Sequence, residues 1–237
     1  VRGGDLRISD TGIDDVVRQV LLPIWNAYSF FTLYANADNY KAELRTDSTQ
    51  LLDKYLLAKT RLLIESVTDR MDSYDISGAT TEIHNFIDAL NNWYIRRSRN
   101  RFWAKSSDDN ELDKRDAHDT LYTVLVMLSR VAAPFLPMIM EEIHTGLTES
   151  QSVHLCDWPD PSSLPSNPDL VATMDLIRSV ASTALRLREE SGLRVRLPLN
   201  CLTVAGNNVQ RIQDLTHLLT DEVNVKSVQL TEDISQY

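Results

Sequence analysis

The chain has 237 residues, enough to bury roughly 70% of its unfolded surface, and 43% of it is hydrophobic, which excludes a disordered tail and a disulfide-stapled miniprotein. Gly and Pro number 7 and 8, about half the usual combined share of roughly 12%, so turns are scarce and long helices are expected. Thirty-four acidic against 24 basic side chains leave a formal net charge of −10, which argues against diffuse binding to nucleic acid or anionic membrane.

The first predicted helix starts at a Thr11/Asp14 capping signature and carries Ile13, Val16, Val17, Val20, Leu21, Ile24, Tyr28 and Phe31 at three- and four-residue steps. Pro23 in its middle predicts a kink. A second helix fits Ser48 to Met71 through Leu52, Leu56, Leu63 and Val67, and Tyr74-Asp75 reads as a turn. A third runs from about Ile76 to Lys105 through Ile83, Phe86, Ile87, Leu90, Trp93 and Tyr94. After the polar, acidic stretch SSDDNELDKRD, a fourth helix takes in Leu121 to Val131. Pro134 and Pro137 then mark a break before a shorter helix through Glu141 and Ile143. Helices in this order pack as an antiparallel bundle.

Four prolines between Trp158 and Pro168 form the clearest linker signal. Beyond it, Leu170 to Ser191 reads as a helix stopped by Gly192. The strand-like RVRLPLNCLTV follows, then a helix from about Val209 to Val223 and a short strand around Val225 to Leu230. The expected fold is therefore mainly α: a helical bundle over 1–158, a Pro-rich linker over 159–169 and a small α/β domain over 170–237.

Charge is unevenly placed along this plan. From Trp93 to Lys105 the run WYIRRSRNRFWAK holds Arg96, Arg97, Arg99, Arg101 and Lys105 with no acid, so the rest of the chain carries −15. At 100° per residue, Arg97 and Arg101 fall on the stripe of Ile83, Leu90 and Trp93 and continue the buried face. There they either pair with carboxylates inside the bundle or overrun the core toward a partner. Asn92, Arg96, Arg99 and Trp103 cluster on a different, exposed face. Guanidinium forks for phosphate beside an aromatic ring for stacking suit single-stranded RNA. The competing explanation is a helix whose C-terminal cations favour the macrodipole and whose Trp sits at an interface.

Other chemistry is sparse. Cys156 and Cys201 lie 45 positions apart, and the five histidines are scattered, so neither a disulfide framework nor a metal site is expected. Glu141 and Glu142 read as acidic partners for the arginines. Carboxylates paired for hydrolysis lack a pocket signature, and no Gly-rich phosphate loop occurs. Arg186, Arg188, Arg194 and Arg196 bracket Glu189 and Glu190 and read as a solvated helix end with a strand start. No stretch approaches a membrane span, and the first residues, VRGGDLRISD, hold neither a signal segment nor an initiator Met. The expectation is a soluble, cytoplasmic piece of something longer.

The run NNWYIRRSRNRFW, preceded by LDKYLLAKTRLLIESVTDRMDSYDISGATTEIHNFIDAL and followed by APFLPMIMEEIHTGL, resembles the anticodon-binding helical bundle of the isoleucyl-tRNA synthetase family of class I aminoacyl-tRNA synthetases. The opening GDLRISDTGIDDVVRQVLLPIWNAYSFFTLYAN resembles the segment that leaves the catalytic domain and enters that bundle. VRLPLNCLTV with DEVNVKSVQL resembles the small α/β region after it. Valyl- and leucyl-tRNA synthetases share the bundle, and the isoleucyl assignment rests on WYIRRSRNRFW.

The resemblance implies that the full-length protein uses ATP and Mg to join isoleucine to its tRNA and edits valine in an inserted domain. The family's His-x-Gly-His and Lys-Met-Ser-Lys-Ser signatures do not occur here, so this chain is expected to hold no catalytic site and no cofactor of its own. Its implied partners are the tRNA(Ile) anticodon stem-loop and the remaining synthetase domains, with no membrane, and it is expected to be a monomer. The RNA-binding set is Arg96, Arg99 and Trp103 on the exposed stripe, Asn92 as a hydrogen-bonding group, and Trp93. Arg97 and Arg101 brace the helix or meet phosphates, and Asn26 stands where an Asn recurs in this bundle among class I relatives. The rival function is a helical protein-interaction scaffold with a purely structural arginine cluster.

Overall fold

The computed structural model describes residues 9–104 and 110–233; the opening VRGGDLRI, Lys105 with the polar residues through 109, and the last four residues lie outside them. Within Val1–Asn167 the first helix begins with α1 (Asp10–Val16). Its cap is Ser9, whose hydroxyl accepts from Gly12 N at 3.1 Å, two residues before the expected Thr11. A π-helical turn, Val17–Leu21, leads directly into α2 (Leu22–Ala37). Pro23 has no N–H to give the preceding turn, and its ring crowds the carbonyl four residues back. Widening that turn to π geometry accommodates both constraints.

Residues 38–50 run without helix to α3 (Leu51–Asp72). Tyr74 adopts φ 58° at the turn, and Asp75 caps α4 (Ile76–Asp88) by accepting from Gly78 N at 3.0 Å. A second π-helical stretch, Ala89–Ile95, joins α4 to α5 (Arg96–Trp103). This stretch shifts the helical phase: Trp93, Tyr94 and Ile95 are buried in succession, and the buried face resumes at Ser98 and Phe102. Arg97 and Arg101 consequently sit at the border of that face and are only half-buried.

α6 (Glu111–Ala132) begins ten positions before the expected Leu121. Its early inward residues are Lys114 and His118, polar groups that hide the helical period from an apolar count. After Pro134 the chain turns into α7 (Pro137–Leu147). The core between these helices is built from Ile64, Val67, Phe86, Tyr94, Leu121 and Leu125, all essentially inaccessible to solvent.

The Pro-rich stretch through residue 167 belongs to this first unit. Leu164 is buried in its core, and its carbonyl accepts from Arg61 Nη1 at 3.0 Å. The second unit, Pro168–Tyr237, begins with α8 (Pro168–Glu190). Gly192 ends that helix region in the left-handed conformation, φ 67°. β1 (Leu199–Ala205) pairs in parallel with β2 (Val225–Thr231), with Leu199 opposite Val225. Between them lie a 3₁₀ segment, Val209–Leu215, and α9 (Thr216–Val223).

Two sequence expectations change here. Residues 194–198 do not join the sheet, and Arg188 is buried at 3% exposure rather than solvated. The two are connected, because Arg188 Nη2 donates to the carbonyls of Arg194 and Leu197. A buried guanidinium must be hydrogen-bonded, and these donations hold the loop in place of a ladder.

Candidate nucleic-acid interface

The basic segment divides into an inward and an outward half. Asp53, in the first turn of α3, is completely buried. It accepts Arg101 Nη1 and Nη2 at 2.6 and 2.8 Å, the Tyr94 hydroxyl at 2.8 Å and the Ser48 hydroxyl at 2.7 Å. Arg101 Nε also reaches Asp113 Oδ1 at 2.9 Å, and Nη2 donates to the Asp113 carbonyl. A bidentate fork on a carboxylate is the strongest ion-pair geometry available to arginine. Burial works against the Arg101 charge, but the Asp53 hydrogen bonds and the surrounding negative charge outweigh it and raise its pKa above the ordinary arginine value. Burial, reinforced by Asp53, pushes the Tyr94 phenol well up.

Arg101 is therefore occupied as a brace between α3, α5 and α6, one of the two roles expected for it. Its partners are Asp53 and Asp113, not Glu141 or Glu142. Glu141 instead accepts from Val153 N at 2.8 Å and Ser152 Oγ at 3.1 Å, and these hydrogen bonds lower its pKa, the Val153 N–H first. Sequence reading missed Asp53, whose only local signal is an acid in a helix's first turn; its partner lies 48 positions away.

Trp93 is 3% exposed, so it presents no face to a ligand. Arg97 stacks over its ring with the guanidinium carbon 4.9 Å from the ring centroid, a cation–π contact that holds this half-buried arginine along the helix. The outward half holds the other four residues of the segment's RNA-binding set. Asn92, Arg96, Arg99 and Trp103 are all exposed, with Trp103 at 53%. Asn92 Nδ2 donates to Asp88 at 2.6 Å, and Arg96 Nε donates to the Asn92 carbonyl at 2.8 Å, so both are oriented by the helix itself. Arg99 and Trp103 make no side-chain hydrogen bond, ion pair or ring contact with any described residue. Asn26 is exposed on α2, likewise without a side-chain partner.

This arrangement offers two guanidinium groups and one open indole, carried by a helix whose other face is pinned by a buried ion pair. Fixed cations contact phosphate, and an exposed indole stacks an unpaired base. Among the described residues no three His, Cys, Asp or Glu side chains gather to hold a metal ion, and no helix is long and apolar enough to cross a membrane.

Residues 53–203 match the family described as the anticodon-binding domain of tRNA ligase. The chain is 51% identical to an isoleucine--tRNA ligase of Leifsonia xyli over 98% of its own length and 21% of that protein. It is 50% identical to the Mycobacterium tuberculosis isoleucine--tRNA ligase over its full length and 22% of the relative. For Tropheryma whipplei the identity is 42% over 98% of the chain. The chain thus spans about a fifth of the length of the curated relatives it matches. With a family match that starts at the buried Asp53 and includes the whole arginine segment, this chain belongs to the anticodon-binding domain family of tRNA ligases.

Proposed function

We propose that this chain is the tRNA(Ile) anticodon stem-loop recognition module of an isoleucyl-tRNA synthetase, whose other domains use ATP and Mg to join isoleucine to that tRNA in the cytoplasm. The observation that carries this reading is the exposed set of Asn92, Arg96, Arg99 and Trp103 on one helix face, with the neighbouring Arg101 taken up by Asp53. Such a face holds single-stranded phosphates and a stacked base while the acidic remainder of the surface repels RNA. Relatives named for isoleucine over the whole chain favour that amino acid over valine or leucine.

The test is titration of the chain with the isoleucine anticodon stem-loop and with an anticodon-substituted version at several salt concentrations. Tighter binding of the first is expected, with log K falling by about 0.7 per phosphate contact against log salt. Equal affinity for both RNAs at every salt overturns the reading. A separate observation favours docking to the remaining synthetase domains: Ile13, Val16, Leu22 and Trp25 are 52, 50, 47 and 43% exposed along α1 and α2. Single apolar residues on a surface need no explanation, but a row of four along one helical segment marks an interaction face. Hydrogen exchange at these residues is expected to slow in the full-length protein relative to this chain, and unchanged exchange refutes the docking.

A further inference from the structure

Between α8 and β1 the chain runs through Leu193, Arg194, Val195, Arg196 and Leu197, consecutive residues that are all exposed. Apolar and basic side chains alternate here, yet neither set is buried. The backbone of this loop is used unevenly. The carbonyls of Arg194 and Leu197 accept from Arg188 Nη2, and that of Val195 accepts from Asn224 Nδ2 at 2.8 Å. The Leu197 N–H closes a turn onto the Arg194 carbonyl at 2.9 Å. The N–H groups of Arg194, Val195 and Arg196 have no acceptor among the described residues. Donors and acceptors normally balance in a folded backbone; here carbonyls are taken up and three adjacent donors are left over.

The charges are distributed in the same sense. Neither the Arg194 nor the Arg196 guanidinium meets a carboxylate among the described residues, and Arg186 reaches Glu190 only at 3.8 Å. Behind the loop, Arg188 is 3% exposed, and its Nε and Nη1 are buried without a hydrogen-bond partner. No described carboxylate pairs with it either. A buried cation without a counter-ion is costly, and buried charge is weakly screened, so Arg188 adds a positive field to the loop it holds. It lies too deep to touch a ligand; it acts through its charge and by fixing the carbonyls of residues 194 and 197.

We infer that this loop is a second RNA contact of the chain, holding backbone phosphates between Arg194, Arg196 and the open N–H groups of residues 194–196. It rests on the RNA-binding function proposed above and adds a site to it in the second unit. Successive free N–H groups in a turn form an anion-binding concavity, and arginine forks match phosphate oxygens. Leu193, Val195 and Leu197 flank the cradle at 37, 46 and 53% exposure; with no aromatic among them the loop stacks no base. Phosphate contacts position a nucleic acid without reading its sequence, so this loop supplies affinity and register while base choice stays with the face of α5. An acidic protein surface is the rival occupant. One carboxylate offers about four acceptor sites, too few for three N–H groups and two guanidinium forks, whereas an RNA backbone brings consecutive anionic phosphates.

The chain and its Arg194→Gln/Arg196→Gln variant are titrated with a tRNA(Ile) transcript between about 50 and 200 mM salt. The dependence of log K on log salt is expected to become shallower by roughly 1.4–1.8 in the variant, about 0.7–0.9 for each of two lost phosphate contacts. Its melting temperature is expected to match the parent's, since neither side chain has a partner in the fold. Arg194→Lys/Arg196→Lys keeps most of the slope because the charge remains. In the parent, amide NMR is expected to show the N–H resonances of residues 194–196 moving as tRNA is added. An unchanged slope in the glutamine variant, or loop amides unmoved at saturating tRNA, overturns the site. If Arg99→Ala then still lowers the slope, the function stands and only this contact is refuted. A parent chain that binds no tRNA refutes the function, and this site with it.

Discussion

Arg101→Met isolates the part of the arginine segment that belongs to the fold. The substitution keeps an unbranched side chain on α5 but leaves Asp53, fully buried, facing only the hydroxyls of Tyr94 and Ser48. Removing one member of a buried ion pair costs about 3–5 kcal/mol, because the remaining charge stays desolvated without its counter-ion. In a unit of this size 1 kcal/mol moves the melting temperature by about 2–4 °C, so a fall of roughly 6–20 °C is expected. Thermal and urea unfolding followed by circular dichroism measure it directly. A double-mutant cycle with Asp53→Asn completes the case: the double variant should lose less than the sum of the singles, with a coupling of about 1–3 kcal/mol. An Arg101→Met chain that melts within 2 °C of the parent, or strictly additive losses, would show that the Asp53 contact is not what holds α5 against α3 and would return Arg101 to the RNA.

Arg99→Ala is expected to leave stability within about 0.5 kcal/mol of the parent, as for other exposed side chains away from special features, while lowering the salt slope of stem-loop binding by about 0.7; an unchanged slope assigns Arg99 to structure. Trp103→Ala should weaken the same complex by about 1–3 kcal/mol through lost base stacking with no change in melting temperature, and loss of stability without loss of affinity would contradict it. His118 and His144 are both held neutral by burial, with pKa values below their ordinary range. The unfolded chain therefore takes up protons first as pH falls: stability is fully present above about pH 6.5 and declines as pH drops toward the folded values. Urea midpoints from pH 7.5 to 5.5 check this, and a flat profile would exclude buried neutral histidines. Gly146→Ala places a Cβ on the Tyr28 hydroxyl where α7 crosses α2, and the displaced ring should cost about 1–3 kcal/mol in a urea titration.

The helices of the bundle were legible because their core faces are apolar and regular: Ile83, Phe86, Ile87 and Leu90 keep the 3.6-residue step, and few glycines or prolines interrupt it. Legibility failed where the step itself changes. Neither π-helical segment leaves a mark in the residue pattern, so Pro23 suggested a kink where the structure widens a turn. The stripe through Trp93, Arg97 and Arg101 also ran ahead of the buried face that resumes at Ser98 and Phe102. Asp53 and Arg188 were opaque for another reason. Each is a charge buried by contacts that only the folded chain brings together, and composition assigns any charge to solvent by default. The exposure of Arg99 and Trp103 was readable because the run from Trp93 to Lys105 carries no acid that could draw them inward.

The start of α6 ties these failures to the chemistry. Local rules and global fold disagree most often where a protein does something other than fold, and residues 111–120 are such a place. The sequence reads as a polar, acidic connector, yet it is helical, and its buried positions include Lys114, His118 and Asp119 beside Ala117 and Thr120. Asp119 is fully engaged, accepting the Tyr40 hydroxyl and Glu43 N and lying 3.6 Å from Arg45; it anchors the segment that follows α2. Lys114 is engaged too, donating to Asp38 and to the Ala104 carbonyl just past the end of α5, and the Lys114 carbonyl in turn holds His118 Nδ1. An apolar pair at 114 and 118 would pack this helix without desolvating a lysine. The retained polarity therefore holds particular partners, Asp38 and the Ala104 carbonyl for Lys114, and fixes where the end of α5 meets α6.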